Sequence, residues 1–536
     1  MTDNQLTRRE MLKRSALLGV AGVVAPGAIL EACGGNSTTT TPTTSGGGTP
    51  KPGGKITWAL EQDPAYLAPF GAVPTSNHWG NEFIYDSLLQ WDKDLAIQPA
   101  LAESYTTPDD KTYIFKLKKG IKFQNGKDFT ADDVKYSFDL ILNPPLPGSA
   151  STLGQVPAIA AVEVVDPSTV KFTMKKPDAS MLGFLAWGRY SGIAPVDMYK
   201  QLNPTTQGIG TGPYKLVEYI PNDHLTFTKN ADYWGKPIPY AQDLLMKVIP
   251  DEQARVAALR SAAIDGGTFS PDNAKVLGND KNLVVLKGLS PAFKEIQFTV
   301  KAGENKPWAD KRVRQAINHA INRQDLIDKV YAGDAKSSSF IPPGYGNYPL
   351  SDSDLTGNYS KFDVAKAKQL MADAGYAGGF PLTLTCFATP QDFPQAAQVI
   401  KEALAAIKID ISIVPQDTAT FSKNNGAGTF DANLTGRGMR GDPNGYVSEF
   451  VANAKLWWPG YTVPASIATL VSQGIGTPQP AARTPIYQQI QQQLWDECLE
   501  IPLVAFYKYQ VVNKRLHNMY VALTDFNTGL KAAWVG

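Results

Sequence analysis

Four histidines, His78, His224, His319 and His517, stand singly along the 536 residues, and none forms an H-E-x-x-H pair that could hold a metal on one helix face. No G-x-S-x-G turn exposes a serine nucleophile, and no G-x-x-x-x-G-K-[ST] loop is present to cradle phosphates. Gly208, Gly210 and Gly212 offer G-x-G-x-G but lack the third spacing of a dinucleotide fingerprint. The adjacent carboxylates Asp132 and Asp133 could share acid–base work. Thr130 and Asp133, however, have the spacing of a capping box, which gives the pair a structural reason. Asp352, Asp354, Thr356, Gly357 and Asp363 come near a calcium loop, yet no apolar helix precedes them and Asp363 reads as a helix N-cap. No catalytic set, resident metal or cofactor is assigned.

The elements that would position any site alternate irregularly between strand and helix. KITWAL from Lys55, YIFKL from Tyr113, the pair around Asp166-Pro167, YKLVEYI and HLTFTK read as strands. Asp251 is predicted to cap a helix EQARVAALRSAAI that Gly266-Gly267 ends, Asn322 to cap a helix through Val330, and Asp363 to cap VAKAKQLMADA. Helix residues 311–320 place Val313, Ala316, Ile317 and Ala320 on one face, with His319 a structural residue beside them. Strands at PLTLTCF and IDISIVP flank a helix, and after a helix over 484–498 come two further strands, PLVAFY and YQVVN. This mixture predicts α/β lobes, not a barrel or a repeat array.

The N-terminal segment has its own chemistry. Arg8-Arg9 precede the short apolar run of residues 16–30, interrupted by Pro26, and this order of basic, apolar and small residues reads as an export signal. The arginine pair resembles a twin-arginine signal, and Leu30-Glu31-Ala32-Cys33-Gly34 resembles a lipobox whose Cys33 would be acylated. The alternative is an uncleaved single-pass anchor; lipidation is preferred because the run is short and broken. Residues 34–52 hold no large apolar side chain and read as a disordered tether. The expected location is extracytoplasmic, lipid-anchored to the outer face of the cytoplasmic membrane or in the periplasm.

With 51 basic and 50 acidic residues, net charge is +1 and no basic field for nucleic acid exists. The body beyond the tether is too long for one core. Cys386 and Cys498 could form one disulfide or stand as two small buried residues, the preferred reading.

Four segments in series carry a family resemblance: PALAESYTTPDDKTYIFKLKKGIKFQNGKDFTADDVKYS from Pro99; GTGPYKLVEYI with NADYWGKP and VIPDEQARVAALRSAAIDGG; NKPWADKRVRQAINHAINRQDLIDKVYAG; and RTPIYQQIQQQLWDECLEIPLVAFYKYQVV. Together they resemble solute-binding protein family 5, the peptide- and nickel-type substrate-binding lipoproteins of ABC importers. The resemblance implies a two-lobed, type II-like clamp of the periplasmic-binding-protein kind. Its first lobe would be 53–88, 208–292 and 503–536, its inserted domain 89–207, and its second lobe 293–502, with a hinge near Phe293 and Leu503. It further implies a small-molecule ligand, a permease with transmembrane and ATPase subunits as partner, and a monomer. The alternatives are a secreted hydrolase on a related scaffold and a ligand-sensing lipoprotein without transport.

The same resemblance points to FDANLTGRGMRGDPNGY, residues 430–446, as cleft. Peptide binders of this kind commonly place an amine-binding aspartate three residues before the Asp-Pro step; here Met439 stands there, before Asp442-Pro443. Arg437 and Arg440 lie alongside, and their planar donor forks suit carboxylate or phosphate, so an anionic or strongly accepting ligand group is predicted; the alternative is pairing within the protein. Trp79, Trp187 and Trp457, among turn-forming residues, are the aromatic cleft candidates.

Overall fold

A computed structural model describes residue 46 and residues 48–64, 66–69, 78–93, 95–143, 156–301, 303–524 and 527–536. The export signal, Cys33 and most of the tether lie outside the described residues. The last stretch of the predicted tether lies against the folded body: Lys51 Nζ sits 5.9 Å from the Trp534 ring centre, and a Cβ on Gly48 would lie 3.3 Å from the same ring.

One sheet organises most of the molecule. Its strands run in the order Ile409–Gln416, Phe380–Phe387, Ala432–Arg437, Leu283–Phe298, Glu500–Asn513, Gly266–Phe269, Lys55–Leu60, Asp243–Val248, His224–Lys229 and Tyr214–Ile220, with Ala335–Ser337 added to Glu500–Asn513. The two central strands, of 16 and 14 residues, are antiparallel and serve different partners at their two ends. Phe293–Phe298 pairs with Ala432–Arg437, whereas Val511 and Val512 pair with Gly267 and Gly266. Between these ends the register slips, from Leu289/Tyr507 through Phe293/Ala505 to Glu295/Pro502. Pro291, with no N–H to donate, occupies the interrupted stretch, where strand proline is tolerated. PLVAFY and YQVVN are thus one continuous strand, not two, because the intervening Lys508 keeps the ladder going opposite Gly288.

A second correction concerns Gly266-Gly267. The helix capped by Asp251 stops at Arg260, earlier than predicted, and the glycines form a strand. A Cβ on Gly266 would lie 2.5 Å from the Trp58 ring, so glycine there admits the buried indole between strands.

A separate four-stranded antiparallel sheet, Ala102–Thr106, Thr112–Leu117, Thr169–Met174 and Ile159–Asp166, has its own core under helix Ala131–Leu142. Phe138 packs edge-on against Phe172 at 4.8 Å, and Phe172 against Phe115 at 5.7 Å. Burying each such ring stabilises the sheet by about 1.5–3 kcal/mol. Asp133 performs the predicted capping role, accepting from Thr130 N–H at 2.9 Å, and it also pairs with Lys127 at 2.5 Å. Asn322 and Asp363 cap their helices, and His319 Nδ1 lies 2.8 Å from Lys361 O. Cys386 and Cys498 are buried free thiols, so the disulfide is not formed. Among the described residues no helix is long and apolar enough to cross a membrane.

Candidate functional site

Strand Ala432–Arg437 runs into residues 438–441, after which Asp442 caps helix Pro443–Trp457. The cap is a local consequence of sequence: an N-cap aspartate accepts from Asn444 N–H at 2.8 Å, and Pro443 occupies the first turn, where a missing donor costs nothing. The turn meets helix Ser180–Ala186, which belongs to the side of the molecule carrying the four-stranded sheet. Contact is backbone to backbone. A Cβ on Gly183 would lie 2.1 Å from Gly441 O, and Ala179 N–H donates to Ile475 O at 2.6 Å. Two facing glycines are what allow this approach.

The contact separates two chambers. The larger, about 490 Å³, has Leu89, Trp91, Ile97 and Leu182 on one side and Tyr345, Tyr348, Met439 and Arg483 on the other. The smaller, about 430 Å³, is more polar, with Asp178, Ser180 and Trp187 facing Arg440, Asn444, Ser448 and Glu449. Gly441 and Asp442 line both.

Arg437, Arg440 and Arg483, the described arginines at the turn, are each paired within the protein. Arg437 is buried and reaches Glu295 at 3.0 Å and Glu500 at 2.6 Å. Arg440 holds Glu449 through Nε at 2.9 Å and a terminal nitrogen at 2.5 Å. Arg483 grips Asp442 with two parallel bonds, 2.8 and 2.6 Å, the strong bidentate geometry of guanidinium with carboxylate. Burial pushes the Glu295 carboxyl well above the ordinary glutamate range; Arg437 pulls the other way and the Glu500 charge adds to the rise. Glu449 behaves oppositely: burial would raise it, but Arg437 and Arg440 hold it below its usual value.

The sequence-predicted residues therefore divide. Met439 and Asp442 line the larger chamber, and Asp442, Arg440 and Trp187 the smaller. The structure does not bring the others to these chambers. Arg437 points into an interior carboxylate cluster, so it is not open to a ligand anion. Trp457 ends a helix, not a loop, and its indole donates to Asn425 O at 3.0 Å within the core. Trp79 lies in helix His78–Ile84, packed against the core that holds Trp58 and Phe83. Arg440 lines a chamber, but its fork is occupied by Glu449, three residues beyond the stretch considered from sequence. Sequence reasoning missed Trp91, Tyr345, Tyr348 and Arg483. Only the Pro-Pro-Gly-Tyr-Gly run at 342–346 signalled a shaped loop, and Gly344 and Gly346 indeed take positive φ.

This two-lobed mixed α/β architecture, with a chamber on each side of the turn at 438–442, is the fold of the periplasmic binding proteins. Residues 96–457 match the model of bacterial extracellular solute-binding proteins, family 5, and the chain belongs to that family. It is 28% identical over 479 residues to the glutathione-binding protein GsiB of Salmonella typhimurium, covering 85% of this chain and 90% of that protein. The periplasmic binding protein DppA from Helicobacter pylori, solved with the peptide STSA, superposes with a TM-score of 0.74 at 25% identity, covering 90% of this chain and 98% of DppA. AgaA from A. tumefaciens R10, solved with agropinic acid, gives 0.73 at 26%, covering 90% and 99%.

Proposed function

We propose that the chain is the substrate-binding component of an ABC importer that captures a small solute, a short peptide or a peptide-like or oligosaccharide-like compound, and passes it unchanged to the permease. The observation that carries this reading is the cleft itself: two chambers built where helix Ser180–Ala186 meets the turn at 438–442. Relatives binding glutathione, a peptide and agropinic acid support a ligand of that size. In this reading residues 53–88, 208–292 and 503–536 form one lobe, 293–502 the other, and 89–207 an inserted domain. The register slip between Leu289 and Glu295 is then the hinge, since an interrupted ladder is the cheapest place for two sheet halves to change their angle. The protein acts as a monomer held to the membrane by acylated Cys33.

Native mass spectrometry of protein purified from its own host tests capture. One small molecule bound per chain is expected; no bound solute, together with no thermal shift across peptide and sugar libraries, would contradict it. Cys33→Ala should move the protein from membranes to soluble fractions, and Arg8→Lys with Arg9→Lys should leave precursor in the cytoplasm. A Cys33→Ala protein that stays on carbonate-washed membranes would refute the lipid anchor.

A further inference from the structure

Among the residues lining the larger chamber, two carry charge, Asp442 and Arg483, and each is used by the other. Their side chains are only 10% and 6% exposed. The rest of Arg483 is also engaged: Nε donates to Gly474 O at 2.9 Å and a terminal nitrogen to Tyr487 Oη at 2.7 Å. Asp442 Oδ1 is further occupied by Asn444 N–H. Little charge is left to meet an ionic group entering the chamber.

The remaining wall reinforces this. Pro99, Pro443, Pro478 and Pro480 line it without backbone N–H groups, and Trp91, Tyr348, Leu182 and Met439 offer ring faces and apolar stems. An ammonium or carboxylate buried there would lose its hydration and meet no unpaired opposite charge in return, a cost that apolar contact does not offset. Rings, by contrast, can pack on the indole and phenol faces. Resting on the reading of this cleft as a solute site, we propose that the larger chamber takes an uncharged, largely apolar, ring-bearing ligand and discriminates against ligands whose inserted end carries a free ammonium or carboxylate.

One scaffold in four charge states tests this: phenylalanyl-phenylalanine with free ends, N-acetylated, C-amidated, or both, titrated calorimetrically into the mature protein. The doubly capped, neutral form is expected to bind at least about tenfold more tightly than the zwitterion, anion or cation, a difference of about 1.4 kcal/mol. A charged form binding as well as the capped one would overturn the proposal while leaving solute capture intact. No binding of any form at about 1 mM would overturn it too, leaving capture to native mass spectrometry. Leu182→Glu, at a half-buried lining position, should weaken the capped form at least about tenfold with the circular dichroism spectrum unchanged. Unchanged affinity in that variant would put the ligand elsewhere and overturn the assignment to this chamber.

Discussion

Two buried arginines flank residues 438–442, and they are neutralised in different ways. Arg437 is shared by Glu295 and Glu500, with Glu449 a further 3.8 Å contact, so carboxylates outnumber it. Glu295 Oε2 has no hydrogen-bond partner among the described residues, and burial raises both Glu295 and Glu500, so the cluster favours holding a proton. Arg483 instead meets Asp442 one to one, with the fork fully used. The first arrangement ties three strands together, since Glu295, Arg437 and Glu500 each come from a different one beside the register slip. The second removes charge from a cavity wall. Similar residue types thus perform two tasks, and stoichiometry separates them: an excess of carboxylate marks an interior brace, a matched pair marks a surface prepared for a neutral ligand.

The contrast can be broken most severely at Arg437. Arg437→Met leaves two carboxylates buried without their cation, and a loss of about 3–5 kcal/mol in denaturant unfolding is expected. Arg483→Met should cost less, about 2–3 kcal/mol, because Asp442 keeps its bond to Asn444 N–H and borders a cavity that water can enter. A larger loss at Arg483 than at Arg437 would reverse the comparison.

A pH titration sharpens it. Glu295 has a folded pKa above its unfolded value, so its contribution is fully present below the ordinary glutamate pKa and is lost as pH rises through the folded value. Glu82, pushed up to about 7 by burial against the pull of Lys531, adds in the same direction. Stability should therefore fall from pH 5.5 to 7.5, by at most about 1.4 kcal/mol per pH unit for each proton involved. Asp310, Asp363 and Asp417, whose pKa values are lowered, act below this window. Glu295→Gln should flatten the slope and Glu82→Gln only its lower part; an unchanged slope in Glu295→Gln would remove the proton from the brace. The smallest effect belongs to Arg440→Ala. Its pair with Glu449 is partly exposed, and less than about 1 kcal/mol should be lost.

The caps at Asn322, Asp363 and Thr130/Asp133 were legible because capping is decided within four residues. The alternating strands were legible for the same local reason. The fused strand Glu500–Asn513 and the strand at Gly266 were not, since a ladder partner more than 200 residues away fixes each. The turn at 438–442 was found from its resemblance, yet the partners that neutralise Arg437 and Asp442 lie 142 and 41 residues away in the chain. Which arginines are free is a property of the fold, and the sequence displayed only that arginines were present. Trp457 and Trp79 misled for a related reason: turn-forming neighbours suggested loops, but burial of a large ring put each in or against a core.

The claim that the cleft wall is electrically spent is tested most directly by titrating benzylamine into wild type and Arg483→Met at pH 7. Removing Arg483 should release the Asp442 carboxylate, so the variant is expected to bind the cation at least about tenfold more tightly than wild type, and Asp442→Asn added to it should abolish the gain. Wild type binding benzylamine as tightly as Arg483→Met would contradict the account, because it would mean that a charge on that wall was open all along.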